Sequence, residues 1–128
     1  MKILALDFGA ARTGVAVSDP TGTIARPVGV VEKAASETGL AKVRELALEH
    51  EVDRVVVGLP LTLRGERGEQ ALATESFAEA LRGVVDVPVE LVDERFTTTI
   101  ASRAGGSAEE DARAAAHLLE SYLGSGAR

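Results

Sequence analysis

Three acids in this 128-residue chain stand where chemistry could be done. Asp7 interrupts the end of an apolar run in "ILALDFGAARTGVAVSD", Glu94 follows another in "VELVDERFTT", and Asp111 opens "DARAAAHLLESYL". A lone carboxylate beside buried apolar surface is costly unless something pairs with it. Three brought together would repel and raise one another's pKa unless a cation joined them. With oxygen ligands alone, a hard ion such as Mg²⁺ or Mn²⁺ is the natural occupant. One or two such ions activate water and hold phosphate oxygens for in-line displacement. Taken singly, each acid also has an ordinary reading. Asp7 can cap amides of the Gly9 turn, Glu94 can pair with Arg95 or Arg12, and Asp111 can serve its own helix dipole.

The elements that must position these acids follow from the apolar patterning. Residues 2–8 and 13–19 read as strands joined by the tight antiparallel turn "GAART". Residues 24–31 read as a third strand, placed at an edge by Pro27. Ser36 is an N-cap for a helix whose stripe is Leu40, Val43, Leu46 and Ala47. The unalternating run at 53–59 predicts a buried parallel strand. A second helix carries Ala73, Phe77, Ala80 and Leu81 on one stripe, and Pro88 opens the strand "VELV". A Gly-Gly break at 105–106 precedes a last helix over 108–123. The order βββαβαβα predicts an α/β fold, a five-stranded mixed sheet in which two βα units extend a three-stranded meander. Ligands of open α/β sheets sit beyond the carboxyl ends of the parallel strands, where Asp7, the Gly58-Leu59-Pro60 turn and Asp93-Glu94 fall. In the last helix Asp111 shares the stripe of Ala115, Leu118, Leu119 and Tyr122, while Glu109 and Glu110 fall toward solvent.

Composition narrows the classes. The net charge of −6 argues against broad, nonspecific nucleic-acid binding, although a nuclease can bring its positive charge as bound metal. There is no cysteine, which removes disulfides, zinc–thiolate sites and thiol nucleophiles. Two histidines, His50 and His117, are too few for a His-rich metal site. One tyrosine and three phenylalanines offer little for base stacking. "MKILALDFGA" reads as a first strand, not a signal peptide, so the expected compartment is the cytoplasm, with no membrane partner. Arg12, Arg64, Arg67, Arg95 and Arg103 fall in loops or turns near the expected mouth, where they could grip phosphates or simply face water.

Four blocks, "LALDFGAARTGVAVSD", "VVVGLPL", "VDERFTT" and "EEDARAAAHLLESYL", resemble in order and spacing those of the YqgF/RuvX family, over nearly the whole chain. The resemblance implies a ribonuclease H-like fold with helices on both faces of the sheet, similar to the junction resolvase RuvC. It implies one domain over residues 1–123, with 124–128 as a flexible tail. It implies a metal-dependent nuclease that matures the 5′ end of precursor 16S rRNA, with Mg²⁺ or Mn²⁺ as cofactor. Structured RNA, branched DNA and ribosomal particles are the expected partners, and the protein acts as a monomer or homodimer. Carried over residue by residue, Asp7, Glu94 and Asp111 are the catalytic and metal-binding acids. Asp93 matches the motif without an assigned role. Arg12, Arg64, Arg67 and Arg95 are candidates for nucleic-acid contact. Two departures stand out. Ala11 replaces the usual basic residue before the hairpin arginine, and "ASRAGGSAEE" carries only Arg103 where a basic run is expected. Other functions consistent with the residues are a four-way-junction resolvase, a non-catalytic binding or assembly module, and a nucleotide-binding protein. The last of these would need a second clamping domain.

Overall fold

The computed structural model describes residues 1–60, 64–93 and 107–124. The elements follow in the expected order. They are β1 (Ile3–Asp7), β2 (Arg12–Ser18), β3 (Ala25–Glu32), α1 (Glu37–Glu49), β4 (Arg54–Leu59), α2 (Glu69–Arg82), β5 (Val89–Asp93) and α3 (Ala108–Gly124). The five strands form one mixed sheet, ordered β3-β2-β1-β4-β5. The meander β1–β2–β3 is antiparallel, and β4 and β5 add in parallel beside β1. β3 is the edge strand that Pro27 predicts, because a residue without an N–H is tolerated only where no further strand needs it. Gly124 belongs to α3, so the expected tail begins inside a helix, and residues 125–128 lie outside the described residues.

Strand alternation divides the core in two. Leu4, Leu6, Val15, Val17, Val55 and Val57 face α1 and α2, packing on Val43, Ala47, Phe77, Ala78 and Leu81. Ile3, Ala5, Ala16 and Val56 face α3, packing on Ala115, Ala116, Leu119, Tyr122 and Leu123. Helices therefore cover both faces. Ser36 caps α1 as expected, its Oγ accepting from the Gly39 N–H at 3.0 Å. At the other end of α1, Val52 N–H donates to Ala47 O and Glu51 N–H to Leu48 O, a Schellman motif with Glu51 at positive φ.

One helix stripe differs from its sequence reading. Ala73 and Ala80 are exposed, and α2 instead buries Ala71, Thr74, Phe77, Ala78 and Leu81. Alanine is nearly indifferent to which face it occupies, so the alanines carried no phase information. Thr74 can be buried because its hydroxyl donates to Gln70 O at 2.8 Å, one turn back.

Candidate active site

The site is built where β1 ends. Alternation puts Ile3, Ala5 and then Asp7 on the α3 face of the sheet. Phe8, the next residue, points to the other face and stacks on Phe77 with ring centroids 4.5 Å apart. That stack pins the strand end and so fixes the side on which the Asp7 carboxylate emerges. Asp7 is half-buried.

Asp111 reaches the same place through the start of α3. Ser107 and Glu110 form a capping box. Glu110 N–H donates to Ser107 Oγ at 3.2 Å, and Ser107 N–H donates to Glu110 Oε1 at 2.9 Å. The three successive acids thus divide their tasks. Glu109 pairs with Arg113 along the exposed face, Glu110 closes the cap, and Asp111 turns inward toward the sheet. There Arg12 Nε donates to Asp111 Oδ2 at 2.8 Å.

Gly14 joins the two acids. It is the register partner of Asp7 on β2, and its Cα faces the Asp111 backbone so closely that a Cβ would lie 1.9 Å from the Asp111 carbonyl oxygen. Only a residue without a side chain lets α3 descend onto the sheet at this rung. The backbones flanking Asp7 and Asp111 therefore meet at one glycine, although the two acids lie far apart in sequence. Gly14 is a site residue that the sequence analysis does not name. The available signal was a glycine placed early in an otherwise apolar strand.

The parallel strands bring their carboxyl ends to the same edge. Leu6 pairs with Val57, and Gly58 with Val92, so Val92 lies near the level of Asp7. Glu90 and Val92 are on the α3 face, and Asp93 points to the α1–α2 face, away from Asp7. Glu94, Arg95, Arg103 and the threonines at 97–99 lie outside the described residues. Among the described residues no group of three potential metal ligands gathers; the structure brings together two of the three expected acids. Their donor set is carboxylate oxygen alone, which fits a hard divalent cation.

Of the candidate arginines, Arg12 is at the site, as the first residue of β2 and not in a loop. Arg67 is bound to Glu75 of α2, and Arg64 is exposed in the preceding turn. His117, beside the buried stripe, lies 3.2 Å from Glu120 one turn on. A polar cluster at the opposite end of the sheet escaped the sequence reading. Arg54 Nη1 donates to Tyr122 OH at 2.7 Å, and Tyr122 OH donates to Glu90 Oε1 at 3.0 Å. The tyrosine raises the Arg54 pKa by hydrogen bonding to the charged form. This cluster anchors the far end of α3.

The fold matches known nucleases. T. thermophilus RuvC in complex with a Holliday junction substrate superposes with a TM-score of 0.62 at 20% identity, over 98% of this chain and 96% of that one. The Fowlpox virus resolvase bound to Holliday junction DNA gives 0.58 at 13% identity, over 98% of each chain. Both establish the ribonuclease H-like fold and, at these identities, the fold alone. Sequence relatives are nearer. A Chloroflexus aurantiacus protein is 42% identical over 130 residues, spanning 94% of this chain and 85% of its own. One from Syntrophomonas wolfei is 36% identical over 135 residues, spanning 98% and 96%. Both carry the name pre-16S rRNA nuclease. No helix among the described residues is long and apolar enough to cross a membrane. The family model described as "RuvX: Holliday junction resolvase" matches residues 1–125, and the chain belongs to that family.

Proposed function

We propose that this chain is a single-domain, divalent-metal-dependent endonuclease that hydrolyses phosphodiester bonds and matures the 5′ end of precursor 16S rRNA. The observation that carries this reading is the meeting of Asp7 and Asp111 across Gly14 at the carboxyl edge of the parallel strands. The names of the relatives supply the substrate class. Asp7, Asp111 and Glu94 would provide the oxygen ligands, with Mg²⁺ or Mn²⁺ as the ion. Bound there, the cation supplies Lewis-acid activation of water and neutralises charge on the phosphate. Asp7 does its part from a strand end locked by the Phe8–Phe77 stack. Arg12 would orient the Asp111 carboxylate through its Nε contact to Oδ2. Arg64 and Arg95 would contact the nucleic acid, and the protein would work in the cytoplasm on ribosomal particles.

The test is one cleavage assay with two substrates. A 16S precursor 5′-leader RNA and a four-way DNA junction are each incubated with Mg²⁺, with Mn²⁺ and with chelator, beside Asp7→Asn. Metal-dependent cutting of the RNA, lost in the variant, is expected. Cutting of the junction alone would move the protein to the resolvases, a reading that the family description favours and that requires two sites acting together. Cutting of neither, or cutting unaffected by Asp7→Asn, would sink the nuclease reading and leave a binding or assembly role. Metal occupancy has its own readout. Mg²⁺ or Mn²⁺ should raise the melting temperature of the unmodified chain and not that of Asp7→Asn.

A further inference from the structure

Lys33 occupies a backbone conformation that its residue type does not favour. Its φ is +48°, in the left-handed region that non-glycine residues seldom adopt. The one other non-glycine residue at positive φ among the described residues is Glu51, and the Schellman motif of α1 accounts for it. Lys33 ends no helix. It lies in the turn between β3 and α1, and its main chain is held from both sides. Its N–H donates to Ala11 O of the β1–β2 hairpin at 3.0 Å. Its carbonyl accepts from Ser36 N–H at 2.9 Å and from Ser36 Oγ at 2.7 Å. Helix α1 rests on the same carbonyl, and a Cβ at Gly39 would come within 2.1 Å of it. A strained residue held this firmly, where glycine or asparagine would fit more easily, points to a use for its side chain.

That side chain is exposed, and among the described residues its ammonium has no ion-pair partner. It borders an open depression of about 650 Å³ lined by Ala10, Ala11, Arg12, Glu32 and Lys33. The depression lies on the same sheet edge as the acids. Asp7 pairs with Gly14, Gly14 with Val30, and Lys33 follows three residues beyond Val30. Strand spacings put it about 10 Å across and about 10 Å beyond the Asp7 rung. Arg12, the other cation there, is engaged with Asp111. Glu32, its register partner, is exposed beside it and would turn a phosphate away from the centre of the depression, toward the lysine.

We propose that Lys33 binds a phosphate of the RNA backbone flanking the cleaved bond, so that the substrate strand runs from the acids across the hairpin tip to the β3–α1 turn. This rests on the nuclease reading above and adds to it a phosphate subsite. Lys33→Gly provides the test, because it removes the charge while relieving the backbone. Binding of a labelled 16S precursor 5′-leader RNA to the full chain is measured in chelator over a series of salt concentrations. In Lys33→Gly the slope of log K against log salt should become shallower by about 0.7–0.9, with affinity lower by about 3–10-fold at fixed salt. Its melting temperature should stay the same or rise. Lys33→Arg should retain slope and affinity.

Unchanged slope and affinity in Lys33→Gly would overturn the proposal, as would an equal loss in Lys33→Arg. An altered slope on a four-way DNA junction and not on the RNA would overturn the assignment to RNA. If the unmodified chain cuts the RNA while Lys33→Gly binds it normally, the subsite fails and the nuclease reading stands. If the slope changes but no metal supports cutting, the nuclease reading fails and the subsite stands. Absence of any RNA binding by the unmodified chain would remove both.

Discussion

The two faces of the sheet are built from different sizes of side chain. Toward α1 and α2 the sheet presents Leu4, Leu6, Val15, Val17, Val55 and Val57, met by Phe77 and Leu81. Toward α3 it presents Ala5, Gly14 and Ala16 at its centre, met by Ala115 and Ala116. Bulky contacts from the sheet meet the first pair of helices. Small contacts let α3 lie close to the strands, and that proximity carries Asp111 to the rung of Asp7. One face supplies stability and the other supplies geometry. A substitution's consequence should depend on the face it touches.

The sharpest break is chemical. Asp7→Asn should leave folding intact and lower the cleavage rate on the order of a thousandfold, because the proposed metal ligand would contribute several kcal/mol to the transition state. A single-turnover assay beside a thermal melt checks both halves. On the large-residue face, Leu81→Ala should cost about 2–5 kcal/mol in a urea titration, with the rate per folded molecule unchanged. On the small-residue face, Gly14→Ala should cost about 1–3 kcal/mol. It should also slow cleavage on the order of 100-fold, since a displacement of about 1 Å at the site suffices for that. If Leu81→Ala slows the chemistry as much as Gly14→Ala does, the division between the faces is wrong.

Smaller effects sharpen the picture. Tyr122→Phe removes a hydroxyl bonded to both Arg54 and Glu90, and a loss of about 1 kcal/mol is expected in the same titration. Asp19 tests a region remote from both faces. Its carboxylate accepts from the amides of Thr23 and Ile24, and the Ile24 bond leads in holding its pKa at about 2, below the ordinary 3.8. A depressed acid contributes stability above its unfolded value and loses it as pH falls through its folded value. The difference in melting temperature between the natural chain and Asp19→Asn should therefore be constant above about pH 4 and vanish as pH falls through 2.

Much of this was legible beforehand, for reasons that differ by element. The strands were readable because unbroken apolar runs have few alternatives in a chain of this size, and Pro27 marked the edge. Asp111 was readable because Leu118, Leu119 and Tyr122 are large enough to set the phase of α3. The phase of α2 was not, because alanines dominate its pattern and a buried threonine breaks it. Gly14 and the Arg54–Glu90–Tyr122 cluster were hidden for another reason. Both depend on strand register and on the depth to which a helix settles, which no local window contains. Glu94, expected from its place after a strand end and from its motif, and Arg95, expected from its place near the mouth, lie outside the described residues.

The meeting at Gly14 also sets an order of events during synthesis. Asp7, in β1, is translated well before Asp111, which arrives with α3. Until α3 docks, a nascent chain carries half of its acidic pair and a bare stripe of alanine and glycine where the helix will lie. On the nuclease reading proposed above, a chain still in synthesis would have no complete acidic pair until α3 closes on the sheet.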